Sequence, residues 1–222
     1  MEQRHNQDKH SLLFIIILGM LTAIGPLAID MFLPGLPELK NDFNTTTAHA
    51  QLTLSFFMIG LGIGNLFVGP ISDSLGRKKP LIIVMTIFTL ASLGIIFVHN
   101  IWLMIILRLL QGITGGGAAV ISRAIASDLY KGNELTKFLS LLMLVNGVAP
   151  VIAPALGGII LSVAVWRVIF VILTIFGILM VMGSLTKIPE SLSLEYRDSS
   201  GIKVIFQNFK SLLGTPRFVL PM

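Results

Sequence analysis

The sequence predicts an all-α membrane protein, a bundle of six transmembrane helices. Three observations predict it. Of the 222 residues, 54% are hydrophobic and only 12% are charged, where a soluble domain carries about 25% charged residues. Mean hydropathy is +0.88. Six apolar stretches each reach the length of about 20 residues that crosses a hydrocarbon core of about 30 Å. The formal charge of +5 does not suggest a nucleic-acid partner, because the cations fall between long apolar runs and not on one soluble face. The chain has no cysteine, which removes disulfides and thiolate metal sites from consideration.

The elements follow in order. Residues 1–10, MEQRHNQDKH, form a polar tail. The first span, 11–33, is longer than the apolar core of a signal peptide, and Gly25-Pro26 to Asp30 lacks a small-x-small cleavage site, so it reads as an uncleaved helix. The remaining spans are 50–72, 80–98, 101–127, 138–161 and 168–186, giving a transmembrane bundle over 11–186. The second, third and sixth carry no charge, whereas a helix of a soluble bundle needs a polar face. Only His99-Asn100 separates the third span from the fourth. Lys and Arg decide orientation. Arg4, Lys9, Arg77, Lys78, Lys79, Lys131, Lys137 and Lys187 share one side, against Lys40 and Arg167 on the other, which places the amino terminus in the cytoplasm. The charged segment 187–215 then reads as a cytoplasmic linker. Val204, Ile205, Phe206, Phe209, Leu212 and Leu213 give it an apolar face suited to the membrane surface. Residues 216–222 read as a cut-short entry to a seventh span.

A weak internal repeat accompanies this plan. Spans one and four each hold one deep ionisable residue, Asp30 and Arg108, and spans two and five each close on a Gly/Pro cluster. Three-plus-three inverted repeats within six-span halves are common in transporters.

Three motifs carry the functional reading. The loop after span two runs Gly69-Pro-Ile-Ser-Asp73-Ser-Leu-Gly76-Arg77-Lys78-Lys79. Gly69 allows close helix approach, Asp73 is expected to close the helix, Gly76 permits the turn, and the cations hold the loop in the cytoplasm. Span four holds Arg108-Leu-Leu-Gln111-Gly112-Ile-Thr-Gly115, with Gln111, Gly112 and Gly115 near Arg108 on one face. Small residues there favour close helix contact. An arginine inside a span costs roughly 2.5–3.5 kcal/mol or more and needs a partner or a wet cavity. Span five holds Pro150 and then Ala153-Pro154-Ala155-Leu156-Gly157-Gly158.

The first motif resembles the G-x-x-x-D-R-x-G-R-[RK] signature of the major facilitator superfamily, with Ser74 in place of the usual arginine. The second resembles its R-x-x-Q-G motif. The third resembles the G-P-x-x-G-G motif of drug/proton antiporters, with Ala153 in place of the first glycine, and Trp166-Arg167 opening span six fits the same family. Asp30-Met-Phe-Leu-Pro34-Gly-Leu-Pro37 and Arg123-Ala-Ile-Ala-Ser-Asp128-Leu-Tyr130 look like the Bcr/CflA group of that superfamily. The resemblance spans about Asp30 to Arg167. It implies the six-helix amino-terminal half of the major facilitator fold, in the cell membrane, exporting hydrophobic drugs in exchange for protons by alternating access. A carboxyl-terminal six-helix half is then the missing partner, and the proton gradient is the energy source with no cofactor.

Roles follow as expectations. Helix rise places Asp30 roughly 5 Å and Arg108 roughly 10 Å from the outer ends of their spans. They are expected to meet, directly or through water, and to couple protons, since a guanidinium favours the carboxylate form and burial disfavours it. A static pair, or a helix-end role for Asp30, is the competing reading. Asp73, Arg77 and Asp128 are expected to cluster at the cytoplasmic side, and the resemblance implies that this cluster, with Gly69, Gly76 and Lys78, switches conformation. Arg123 is expected to snorkel to the cytoplasmic interface. Met20, Phe57, Thr114, Met143 and Asn146 are candidates for a substrate wall, since Met and aromatic side chains suit an adaptable pocket. A metabolite or sugar carrier and an inactive half-transporter are the alternatives. A membrane enzyme lacks support, because His99 lies in an outer loop and no Gly-x-Ser-Gly segment or metal-ligand cluster occurs.

Overall fold

The structure, a computed structural model, describes residues 12–197. The polar tail 1–10, the amphipathic segment and the seventh-span entry lie outside the described residues. Helix α1 spans Leu12–Asp30 and α2 spans Leu36–Asp42, with a short 3-10 turn at Leu33–Gly35 between them. Then come α3 (Thr47–Leu75), α4 (Lys78–Phe97), α5 (Ile101–Leu129), α6 (Gly132–Val163) and α7 (Arg167–Lys187). The six long helices, α1 and α3 to α7, are each long and apolar enough to cross a membrane.

Local chemistry sets the boundaries. Thr46 caps α3 by accepting from the His49 amide at 3.2 Å. Asn100 caps α5 by accepting from the Trp102 and Leu103 amides, so the three residues Val98 to Asn100 suffice to turn the chain. Helix α3 continues past Asp73 to Leu75, and Gly76 ends it at φ +90°, a conformation costly for any residue with a Cβ. Asp73 therefore does not close the helix as expected; it lies inside the last turn and serves Arg77. Pro26, Pro70, Pro150 and Pro154 sit inside helices and each removes one backbone donor.

Helices α3, α5, α1 and α6 pack side by side in that order, and α4 and α7 pair behind them. The α3–α5 seam is made by glycine. A Cβ on Gly60, Gly64, Gly112 or Gly116 would strike a backbone carbonyl of the facing helix, so the two backbones lie in contact. Gly157 does the same for α6 against the Met31 carbonyl at the end of α1. The opposite surfaces are open. Met143, Val151, Ile159 and Val163 on α6, and Met58 and Ile59 on α3, are all exposed.

Candidate functional site

Arg108 is fully buried at the centre of the bundle. Its guanidinium lies over the rings of Phe57, Phe32 and Phe170, at 4.5, 4.8 and 5.6 Å from their centroids. Three different elements supply those rings: α3, the turn after α1, and α7. Nη1 donates to the Ala28 carbonyl at 3.0 Å and to Gln111 Oε1 at 2.8 Å. Gln111 in turn donates to Ser92 of α4 at 2.8 Å, which fixes the amide orientation. A desolvated cation–π contact contributes about 2 kcal/mol, and a hydrogen bond from a charged group about 1.5–3 kcal/mol. Together they are comparable to the effective penalty of several kcal/mol for burying an ion. Two guanidinium nitrogens, Nε and Nη2, are buried with no hydrogen-bond partner among the described residues.

Asp30 does not fill that gap. No hydrogen bond or ion pair joins it to Arg108. The reason is azimuth. Arg108 reaches the carbonyl of Ala28, and residue 30 stands about 200° further round the helix. Asp30 is half-buried and, at about 100° per residue, stands in line with Leu12 and Ile16, which line the groove against α6. The expected pair makes no direct hydrogen bond or ion pair.

At the end of the bundle that carries the α3–α4 loop, the expected cluster is assembled. Arg77, itself buried, donates through Nε to Asp128 at 2.9 Å and through Nη1 to Ser72 at 2.8 Å and to Asp73. Burial opposes the Arg77 cation; the hydrogen bonds and charges of Asp128 and Asp73 outweigh it and raise its pKa. Two members were not expected. Glu190 accepts from the backbone amides of Arg77 and Lys78 at 2.7 and 3.3 Å, and Ser191 donates to Asp128 at 2.8 Å. Lys78 donates to the Leu185 carbonyl of α7. A Cβ on Gly69 would press on Val120 of α5, and Gly76 leaves room for Glu190 and Arg197.

The opposite end has its own anchor. The Trp166 amide donates to Glu38 and its indole to Asp42, both at 3.1 Å. Arg167 donates to Asp42 and to the Ile96 and Val98 carbonyls that end α4.

The substrate-wall candidates separate. Met20 is half-buried in a groove of about 270 Å³ between α1 and α6, with Ile16, Leu141 and Val145. Met143 is 72% exposed. Asn146 is half-buried and donates to the Leu142 carbonyl. Phe57 and Thr114 are buried: the first serves Arg108, and the hydroxyl of the second donates to carbonyls of its own helix. Neither lines an open wall. Among the small residues, Gly112 abuts the Phe57 carbonyl, Gly115 makes ordinary contacts, and Gly158 faces open space beside Pro150 and Pro154 of α6. Arg123 does not snorkel. It donates to the Ala119 carbonyl at 3.2 Å and to Asn65 of α3 at 3.1 Å, both further from the Arg77 end than Arg123 itself.

The family profile of the Major Facilitator Superfamily matches residues 18–222. An uncharacterized MFS-type transporter, YdgK, of Bacillus subtilis is 43% identical over 97% of this chain and 54% of its own length. A bicyclomycin resistance protein homolog of Haemophilus influenzae is 33% identical over 92% of this chain and 51% of its own. Multidrug resistance protein D of Escherichia coli is 26% identical over the same shares. The chain spans about half the length of the curated relatives it matches. The human organic anion transporter MFSD10 (TETRAN) shares the fold, with a TM-score of 0.64 and 16% identity over 85% of this chain and 50% of that one.

Proposed function

The chain belongs to the Major Facilitator Superfamily, and on that premise we propose that it is the amino-terminal half of a proton-coupled exporter of hydrophobic drug-like molecules. One observation supports the coupling: Arg108 is buried with two guanidinium nitrogens unpartnered among the described residues, close to the end of a helix that carries an aspartate. Helix α1 holds Gly25-Pro26 one turn before Asp30, and Asp30 is its last residue. Rotation of this last turn brings the Asp30 carboxylate to Nε and Nη2. There the guanidinium favours the ionised form, and the acid releases its proton. When the turn swings back, the carboxylate leaves its counter-ion and takes a proton up. One acid thus binds and releases a proton as the helix moves, without a second titrating group.

Several observations support the remaining roles. The apolar groove beside Met20 suits a hydrophobic substrate better than a sugar, which needs several polar side chains. The relatives named for multidrug and bicyclomycin resistance agree with this class. Arg77, Asp73, Asp128 and Glu190 tie three helices and the segment after α7 together, as a latch requires. The distribution of Lys and Arg orients the Arg77 end toward the cytoplasm. The second half, of similar length, supplies the other wall of the substrate path.

The test is drug accumulation in cells expressing the full-length protein, with and without a protonophore. Wild type should lower accumulation only while the gradient stands, and Asp30→Asn and Arg108→Ala should not lower it. Full gradient-driven export by Asp30→Asn would overturn the coupling role.

A further inference from the structure

We propose that Arg123 and Asn65 form a recognition site for the anionic group of an amphiphilic substrate. The proposal rests on the transporter reading and adds a substrate class to it.

Depth comes first. Asp73 and Asp128 bind the same guanidinium, so they mark one level at the Arg77 end. Arg123 lies five residues before Asp128 on α5, about 7.5 Å further in, and Asn65 lies eight residues before Asp73 on α3, about 12 Å further in. Arg123 donates to Asn65 and to Ala119, one turn back along α5, so the guanidinium points toward the middle of the span. Side chains lean toward the N-terminus of their helix, which on α5 is also away from the Arg77 end. A cation placed merely to reach the near interface would turn the other way.

The azimuth decides which face it serves. Leu61 of α3 lies beside both Gly25 of α1 and Gly116 of α5, so α1, α3 and α5 meet at that level. Arg123 follows Gly116 by seven residues and Asn65 follows Leu61 by four, which keeps both in the same seam. There Arg123 and Asn65 are exposed. Helix α4 packs on another side of α5, through Leu107 and Gln111. The pair therefore faces the front of the α3–α5–α1–α6 layer.

The chemistry follows from the partners. Asn65 is held by its own donation to the Leu61 carbonyl at 2.9 Å, so its oxygen stays aimed at Arg123. No carboxylate lies within ion-pair distance of Arg123 among the described residues. A charged residue inside a membrane span faces a wet cavity or marks a substrate path. The two neutral acceptors orient the fork and leave its charge uncompensated, which is what a carboxylate or sulfonate needs. The apolar groove near Met20 opens at similar depth on the other side of α1. An amphiphile spans the width of one helix, about 10 Å, with its apolar body in the groove and its anionic group at Arg123.

The test is equilibrium binding to the full-length protein in nanodiscs of phosphatidylcholine. Fluorescein, an anion, is compared with rhodamine 6G, a cation on the same xanthene core. Arg123→Gln should weaken fluorescein at least tenfold, about 1.4 kcal/mol, and leave rhodamine 6G within twofold. Arg123→Lys should recover part of the loss. Equal loss of both dyes would make Arg123 structural and overturn the proposal, as would unchanged fluorescein binding in Arg123→Gln. If phosphatidylglycerol in the discs abolishes fluorescein binding, the site serves a lipid headgroup and the substrate assignment falls. The dye comparison reads binding at equilibrium with no gradient, whereas the coupling role is read from gradient-dependent accumulation. Failure of proton coupling would leave this result standing, and the reverse holds as well.

Discussion

Replacing Gly116 by alanine puts a methyl group 2.5 Å from the Leu61 carbonyl oxygen, where ordinary contact begins near 3.4 Å. The backbones of α3 and α5 must then separate by about 0.9 Å. Gaps of 0.5–1 Å forfeit a quarter to a half of the dispersion energy along a contact, and overpacking of tight sites costs about 1–3 kcal/mol. Alanine returns about 0.5–1 kcal/mol of helix propensity, so the net loss is up to about 2 kcal/mol. Gly64→Ala and Gly112→Ala, which also meet backbone, should behave alike. Gly62, Gly147 and Gly158 provide the contrast, because a Cβ there meets nothing within 4 Å. Their alanine variants should gain up to about 1 kcal/mol. At about 2–4 °C per kcal/mol for a chain of this size, the two groups should move apart by several degrees. The assay is thermal aggregation of detergent-purified full-length protein followed by size-exclusion chromatography. A Gly64→Ala or Gly116→Ala variant melting at or above wild type would refute the close-packed seam.

Other outcomes follow from the same contacts. Asp128→Asn removes the charge that holds Arg77 Nε and should lower stability by about 1.5–3 kcal/mol, read as a loss of several degrees in melting temperature. Because the Arg77 pKa is raised, its contribution is fully present below the ordinary arginine value and is lost only above it. The melting difference between wild type and Arg77→Gln should therefore stay constant from about pH 7 to pH 9. Phe57→Leu removes one ring from the Arg108 guanidinium and should cost about 2 kcal/mol, measured by the same melt. Trp166→Phe keeps the ring stack and loses the donor to Asp42, for about 1 kcal/mol.

The helices were legible in the sequence because apolar length is a direct consequence of bilayer thickness. The cap at Asn100 and the turn at Gly76 were legible because their local chemistry is self-contained. The Asp73–Arg77–Asp128 cluster followed from adjacent helix ends. Glu190 and Ser191 escaped notice because a charged segment after a span reads as topology, and only the folded chain shows that it bonds to the α3–α4 loop. A direct Asp30–Arg108 contact is absent for a different reason. Counting residues gives depth along a helix, and contact also needs a shared azimuth. The cage of Phe32, Phe57 and Phe170 draws on three elements far apart in sequence, so no local pattern announces it. From the sequence alone Phe57 therefore reads as a substrate-wall residue. The direction of Arg123 is set by Asn65, 58 residues away, which no local pattern reveals.

Proton release tests the central claim most directly. Full-length protein is held in weakly buffered detergent solution, substrate is added, and the pH change is converted to protons per transporter. Close to one proton should leave wild type and none should leave Asp30→Asn, with a reduced yield from Arg108→Gln. An Asp30→Asn protein that releases as many protons as wild type would show that some other group carries the proton.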